Sequence, residues 1–182
     1  MLSMLAFLRM KHLPLLLLTL AACCCCTGTN LPGPSQPPAV KISVEAHQKN
    51  LENMLYQFER AWLQDGAGYD TQDAFSKVAE PYIDSIPDIP TLEKLYFALS
   101  RIDPNDHDSL QAWTHGIDEF NYYLVRNIAR QGTREAYDSF MRIKRFRCDG
   151  AWAGTLRSLE WKYLRAWSQD PRVLESPHGI FH

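Results

Sequence analysis

The chain is predicted to be all-α, an antiparallel array of about six helices behind an N-terminal signal segment and a proline-rich tether. Three observations predict it. Apolar residues from residue 43 onward recur at spacings of three and four. Short joints rich in Gly, Pro, Asp and Asn separate these stripes. No stretch sustains the alternation of a strand. With 46% hydrophobic and 22% charged residues in 182, the composition is that of an ordinary globular protein. Five Trp are included, all beyond residue 55, enough apolar surface for one core.

The organisation divides as 1–22, 23–42 and 43–182. Residues 1–22 carry Arg9, Lys11 and His12 ahead of an apolar run from Leu13 to Leu20, and contain no acid. That is the layout of a signal peptide, and the run is too short to span a bilayer core of about 30 Å as a helix. It ends in Leu20-Ala21-Ala22-Cys23. This quartet resembles the lipobox of bacterial lipoproteins: an aliphatic residue, two small ones, then the cysteine that is lipidated. The chemistry suits the residues, because a thiol is the most nucleophilic common side chain and small residues let a peptidase approach the backbone. The resemblance implies cleavage before Cys23 and acylation of its thiol. It covers the signal region only. Cys24, Cys25 and Cys26 follow; consecutive side chains do not converge easily on one tetrahedral metal, and adjacent positions strain a disulfide. By analogy with such lipoproteins, Asp after the lipidated cysteine resembles an inner-membrane retention signal. Cys24 stands there instead, so the resemblance implies the outer membrane, facing the periplasm.

Residues 27–40 hold four prolines, two glycines and no charge. Proline favours extended polyproline conformation, so this stretch reads as a semi-rigid tether reaching up to roughly 40 Å at about 3.1 Å per residue.

The helices follow in order. Leu51, Leu55, Phe58 and Trp62 define the first, closing before Asp65-Gly66-Ala67-Gly68. Asp70 or Thr71 is expected to cap a second helix running through Ile83, with Pro81 kinking or ending it. Beyond Pro87 and Pro90, Thr91 is expected to cap a helix bearing Leu92, Leu95, Tyr96, Leu99 and Ile102. The clearest stripe is Leu110, Trp113, Ile117, Phe120, Leu124 and Ile128, ending near Gly132. Thr133 starts a shorter helix with Ala136, Phe140 and Ile143. Asp149 is expected to cap the last, with Trp152, Leu156, Leu159, Tyr163 and Trp167 on one face and Pro171 as its stop. A bundle and a short helix-hairpin solenoid both fit, and no repeat near 34 residues stands out. Trp113, Trp152, Trp161 and Trp167 are expected core anchors, although Trp161 falls off its helix's stripe and is a candidate interface aromatic.

Catalytic signatures are lacking. Asp103, Asn105, Asp106 and Asp108 depart from an EF-hand, since His107 occupies a usual oxygen-ligand position and no Gly follows it; capping of the next helix by Asp106 or Asp108 is the simpler reading. His115, Asp118 and Glu119 share about one helical turn without a second spaced His, and read as a solvated face. There is no G-x-S-x-G, phosphate loop or dinucleotide fingerprint. Cys148 is read as a small core or surface thiol, and His178 and His182 form no metal spacing. No catalytic residue, metal site or cofactor is therefore assigned.

Charge is distributed unevenly. Removing residues 1–22 takes away Arg9 and Lys11 and moves the net charge from −2 to −4, which does not suggest a nucleic-acid binder. Residues 45–93 carry ten acids and three bases, whereas 126–147 carry seven bases and two acids. Such a dipolar domain fits charge-steered docking on a partner or on anionic lipid headgroups; equally, the two halves can pack on each other. The expected function is a non-enzymatic protein-binding module anchored in the envelope, of the secretion or envelope accessory type or the toxin-immunity type. The partner-binding candidates are Arg126, Arg130, Arg134, Arg142, Arg145 and Trp161. The alternatives are an envelope enzyme acting on peptidoglycan or lipid through carboxylates gathered by folding, and a bundle holding a small ligand between its helices.

Overall fold

A computed structural model describes residues 42–147 and 150–174. The signal segment, Cys23, the tether up to residue 41, Cys148, Asp149, His178 and His182 lie outside the described residues. What is described is all-helical, in the order α1 (Val44–Asp65), α2 (Tyr69–Asp84), α3 (Ile89–Leu99), a 3₁₀ turn (Pro104–Asp106), α4 (Leu110–Arg130), α5 (Arg134–Phe146), α6 (Gly150–Leu164) and α7 (Pro171–Leu174).

The centre of the fold is α4. It packs against α1, α2, α3, α5 and α6. A solenoid stacks each unit on its neighbours only, so one helix touching five others makes this a bundle. The sequence of α4 accounts for the role. Besides the expected stripe, it buries Ala112, Gly116, Asn121, Tyr123, Val125 and Ala129, so most of its circumference is covered. At Gly116 a side chain has no room: a Cβ there would lie 2.6 Å from Leu55 Cδ2, and this gap lets α1 cross close to α4. Rings of three helices meet beside it, with Phe58 and Phe75 stacked at 4.4 Å and Phe75 and Phe120 at 5.0 Å.

Polar groups close the helix ends across the bundle. Asn127 Nδ2 on α4 donates to the Ile83 and Ile86 carbonyls at the end of α2, at 2.8 and 3.1 Å. The buried carboxylate of Glu59 accepts the Ser109 N–H at 2.7 Å, just before α4. Both serve orphan backbone groups that a helix terminus leaves behind.

Several boundaries differ from expectation, each for a local reason. The N-cap of α2 is Gly68, without a side-chain cap, while Thr71 Oγ1 donates to the Gly66 carbonyl. Pro81 does not end α2, which runs on to Asp84; the proline is exposed, where a carbonyl losing its donor stays within reach of water. Asp88, not Thr91, caps α3, accepting both the N–H and the hydroxyl of Thr91. Ser109, not Asp106 or Asp108, caps α4, and Asp103 caps the 3₁₀ turn. Leu110 is 51% exposed, because the first residue of α4 precedes the packed region. Finally α6 stops at Leu164 rather than at Pro171, which instead opens α7, a favoured place for proline.

The tryptophans divide accordingly. Trp113 and Trp152 are buried core anchors and Trp161 is half-buried. Trp167 lies past the end of α6, 38% exposed, and its Nε1 donates to the Gly132 carbonyl at 3.1 Å. Gly132 adopts φ +62°, a left-handed turn that lets α5 fold back after α4.

Candidate functional site

The basic segment 126–147 covers the end of α4 and all of α5. The latter forms because Thr133 accepts the Ala136 N–H at 3.1 Å, Glu135 sits in the first turn and Lys144 and Arg145 in the last, each sign matching the helix dipole. Its apolar stripe of Ala136, Tyr137, Phe140 and Ile143 is buried, which leaves the cations on the outer side.

Arg126, Arg130 and Arg142, of the six candidate partner-binding residues, pair with carboxylates of other helices. Arg126 Nη2 lies 2.8 Å from Glu80 Oε1 and 3.3 Å from Asp84 Oδ1, and Arg130 Nη1 lies 2.9 Å from Asp84 Oδ2. The Arg126 guanidinium also rests over the rings of Tyr122 and Tyr123. Burial opposes its charge, yet the carboxylates of Glu80 and Asp84 outweigh that and hold its pKa above the ordinary value. Arg142 forms a two-pronged pair with Glu93 of α3, at 2.5 and 2.7 Å, and Ser139 adds a third hydrogen bond to the same carboxylate. Thus Glu80, Asp84 and Glu93 of the acidic half meet Arg126, Arg130 and Arg142 of the basic half. The packing of the two charged halves on each other accounts for this part of the pattern.

Arg142 is the chief cause that keeps the Glu93 carboxyl below its ordinary 4.5, ahead of the opposing effect of burial. A lowered folded pKa stabilises the protein above the unfolded value and loses that contribution as pH falls through the folded one. Arg142 is half exposed, so solvent screens the pair and it contributes about 1 kcal/mol. Urea titration of Arg142→Gln against the parent should show that difference near neutral pH and its progressive loss as acid protonates the Glu93 carboxylate. A difference independent of pH would assign it to lost packing instead.

The remaining surface of α5 is concave. Arg134, Arg142, Lys144 and Arg145, with Tyr137, Met141, Gln169 and the carboxylates Asp138, Glu160 and Asp170, line an open depression of about 660 Å³. Arg134 pairs with Asp138 one turn away and lies over the rings of Tyr137 and Trp167. Lys144 meets the buried Glu160 of α6. Arg126, Arg130 and Trp161 do not line this depression. The structure therefore brings together Arg134, Arg142 and Arg145 and sets the other three apart.

The group His115, Asp118 and Glu119 is more than a solvated face. Asp118 pairs with Arg147 at 2.8 Å. Glu119 Oε1 accepts the hydroxyls of Ser76 and Tyr123, the latter at 2.7 Å, while His115 Nε2 stands 3.8 Å from Oε2. The order of the groups is wrong for a nucleophilic triad, which needs the imidazole between hydroxyl and carboxylate. Burial, with Glu119 adding to it, pushes the Tyr123 hydroxyl up to about 12, so it remains a proton donor to the carboxylate. Among the described residues no three His, Cys, Asp or Glu side chains gather closely enough to hold a metal ion. No described helix is long and apolar enough to cross a membrane. No protein-family model matches this chain, and neither a curated protein nor a solved structure matches it.

Proposed function

We propose that this chain is a lipid-anchored envelope protein of bacteria whose helical bundle is a non-catalytic docking module for an acidic face of another envelope protein. The observation that carries the reading is the α5 depression, where Arg134, Arg142, Lys144 and Arg145 stand beside Tyr137 and Met141 and outnumber the carboxylates Asp138, Glu160 and Asp170 of the same lining. Arginine beside aromatic and methionine surface is the composition of interface centres rather than of rims. Anchoring through Cys23 would place that depression within a tether's length of an outer-membrane inner face. Accessory subunits of envelope machinery and immunity proteins against incoming toxins both work in this way, as tethered blockers or adaptors.

Arg134 and Arg145 are the residues to change: both line the depression, and Arg142 and Lys144 hold Glu93 and Glu160 of neighbouring helices. The full-length protein is crosslinked in intact cells and recovered from detergent-solubilised membranes, alongside Arg134→Glu combined with Arg145→Glu. Two reversed charges at the docking surface should reduce partner recovery by about a hundredfold while the bundle still unfolds cooperatively, the melting temperature falling only by the loss of surface pairs such as Arg134–Asp138. Identical partners at identical yield would remove α5 as the docking surface. Loss of binding to anionic vesicles, with protein partners retained, would reassign it to lipid headgroups.

A further inference from the structure

A second hollow, separate from the basic depression, lies where the end of α3, the 3₁₀ turn, α4 and the end of α5 come together. Its volume is about 510 Å³. Among its lining residues is Asn121, which is 0% exposed and has no hydrogen-bond partner for either Nδ2 or Oδ1. A buried carboxamide with both ends bare is costly, and a leucine of similar shape would avoid the cost. Beside it the walls are apolar, formed by Leu99, Ile102, Ile117 and the ring of Phe146. Phe146 is 57% exposed and held edge-on by Phe97, so it presents a free aromatic surface at the mouth. The Asp118–Arg147 pair supplies one charge of each sign at the same rim.

The geometry points to a binding site for an extended peptide segment with an apolar side chain. The side-chain amide of asparagine offers one donor and one acceptor on a single edge. An extended peptide residue presents its own N–H and C=O on one edge in complementary order, so one backbone residue satisfies both bare atoms of Asn121. The adjacent walls accept that segment's apolar side chain, and the rim pair suits neighbouring polar backbone. A hydrocarbon ligand would leave the carboxamide bare, and a lone ion would satisfy only one end of it.

The test is a solution titration of the full-length protein, labelled with ¹⁵N and methyl ¹³C, with N-acetyl-L-leucine methylamide. Expected are saturable shifts of the Asn121 side-chain NH₂ together with the Leu99, Ile102 and Ile117 methyls. The depsipeptide analogue, in which an ester oxygen replaces the leucine N–H, should bind about tenfold more weakly, the loss expected for one buried hydrogen bond. N-acetylglucosamine, which carries an amide without a neighbouring carbonyl on the same edge, should also bind about tenfold more weakly. In Asn121→Leu the blocked leucine should lose binding at least about tenfold while the melting temperature stays level or rises. The ligand comparisons on the parent protein stand even where that variant does not fold. Absence of any saturable shift up to about 10 mM, or equal binding of amide and ester, would overturn the assignment and leave Asn121 as the seat of a buried water. Tighter binding of the sugar would overturn the peptide class.

Discussion

Replacing Lys144 with methionine is expected to destabilise the bundle by about 3–5 kcal/mol, the range for leaving a buried charge without its partner. The partner is Glu160, which is 0% exposed. Lys144 Nζ on α5 lies 2.5 Å from Glu160 Oε2 on α6, and Ser168 beyond α6 donates to Oε1 of the same carboxylate. Asp170 stands 3.8 Å from the ammonium on its other side. The cluster thereby ties α5, α6 and the chain past α6 at one point. Methionine keeps the length and apolar stem of lysine and removes only the charge, so the loss reports the ion pair rather than a cavity. The reciprocal change, Glu160→Met, should cost less, because Lys144 is a quarter exposed and retains Asp170. The double variant should recover most of the stability, since an apolar pair of similar volume carries no desolvation penalty. Urea unfolding of the four proteins measures this. A Lys144→Met protein within about 1 kcal/mol of the parent would mean that water reaches Glu160 and solvates it.

That cluster also shows where the sequence stops being readable. Position 160 is polar and lies four residues after Leu156, at the edge of the apolar stripe of α6, so periodicity alone does not decide its burial. It is buried because α6 is covered on that side by α5 and by the chain after Leu164, and neither covering is written locally. The stripes of α1, α4 and α5 were legible, since one face of each is apolar and the spacing shows it. The central position of α4 was half legible: the run Phe120-Asn121-Tyr122-Tyr123-Leu124-Val125 is apolar on more sides than a surface helix needs. Read that way, Asn121 stands out as a polar residue inside a buried helix, a signal that was present in the sequence. The basic candidates behaved differently. Their charge was legible, but the partners Glu80, Asp84 and Glu93 lie more than 40 residues away in the chain and reach Arg126, Arg130 and Arg142 only through the docking of α2 and α3. The helix starts at Asp88 and Ser109 were each displaced from the neighbouring residue expected, because several adjacent Asp, Ser and Thr side chains are all competent caps.

The other large effect concerns the proposed anchor. In Cys23→Ser, incorporation of labelled fatty acid should fall to background, because a serine hydroxyl at neutral pH has almost none of the nucleophilic anion that a thiol supplies. The mass of the variant is read alongside: a cleavage step that needs the acylated thiol would leave a precursor still carrying residues 1–22. The energetic consequence follows from chain length. Each buried methylene contributes roughly 0.8 kcal/mol, one acyl chain holds a protein only marginally, and two or more hold it firmly. Trimming the signal from the variant with an engineered cleavage site should therefore release the bundle into the soluble fraction, a shift of several orders of magnitude in partition. Cys24→Ser, Cys25→Ser and Cys26→Ser serve as the comparison, since each removes a neighbouring thiol and leaves Leu20-Ala21-Ala22-Cys23 intact. All three should remain acylated and membrane-bound. Continued acylation of Cys23→Ser, lost only when a later cysteine is also replaced, would move the acceptor along the chain and the cleavage point with it.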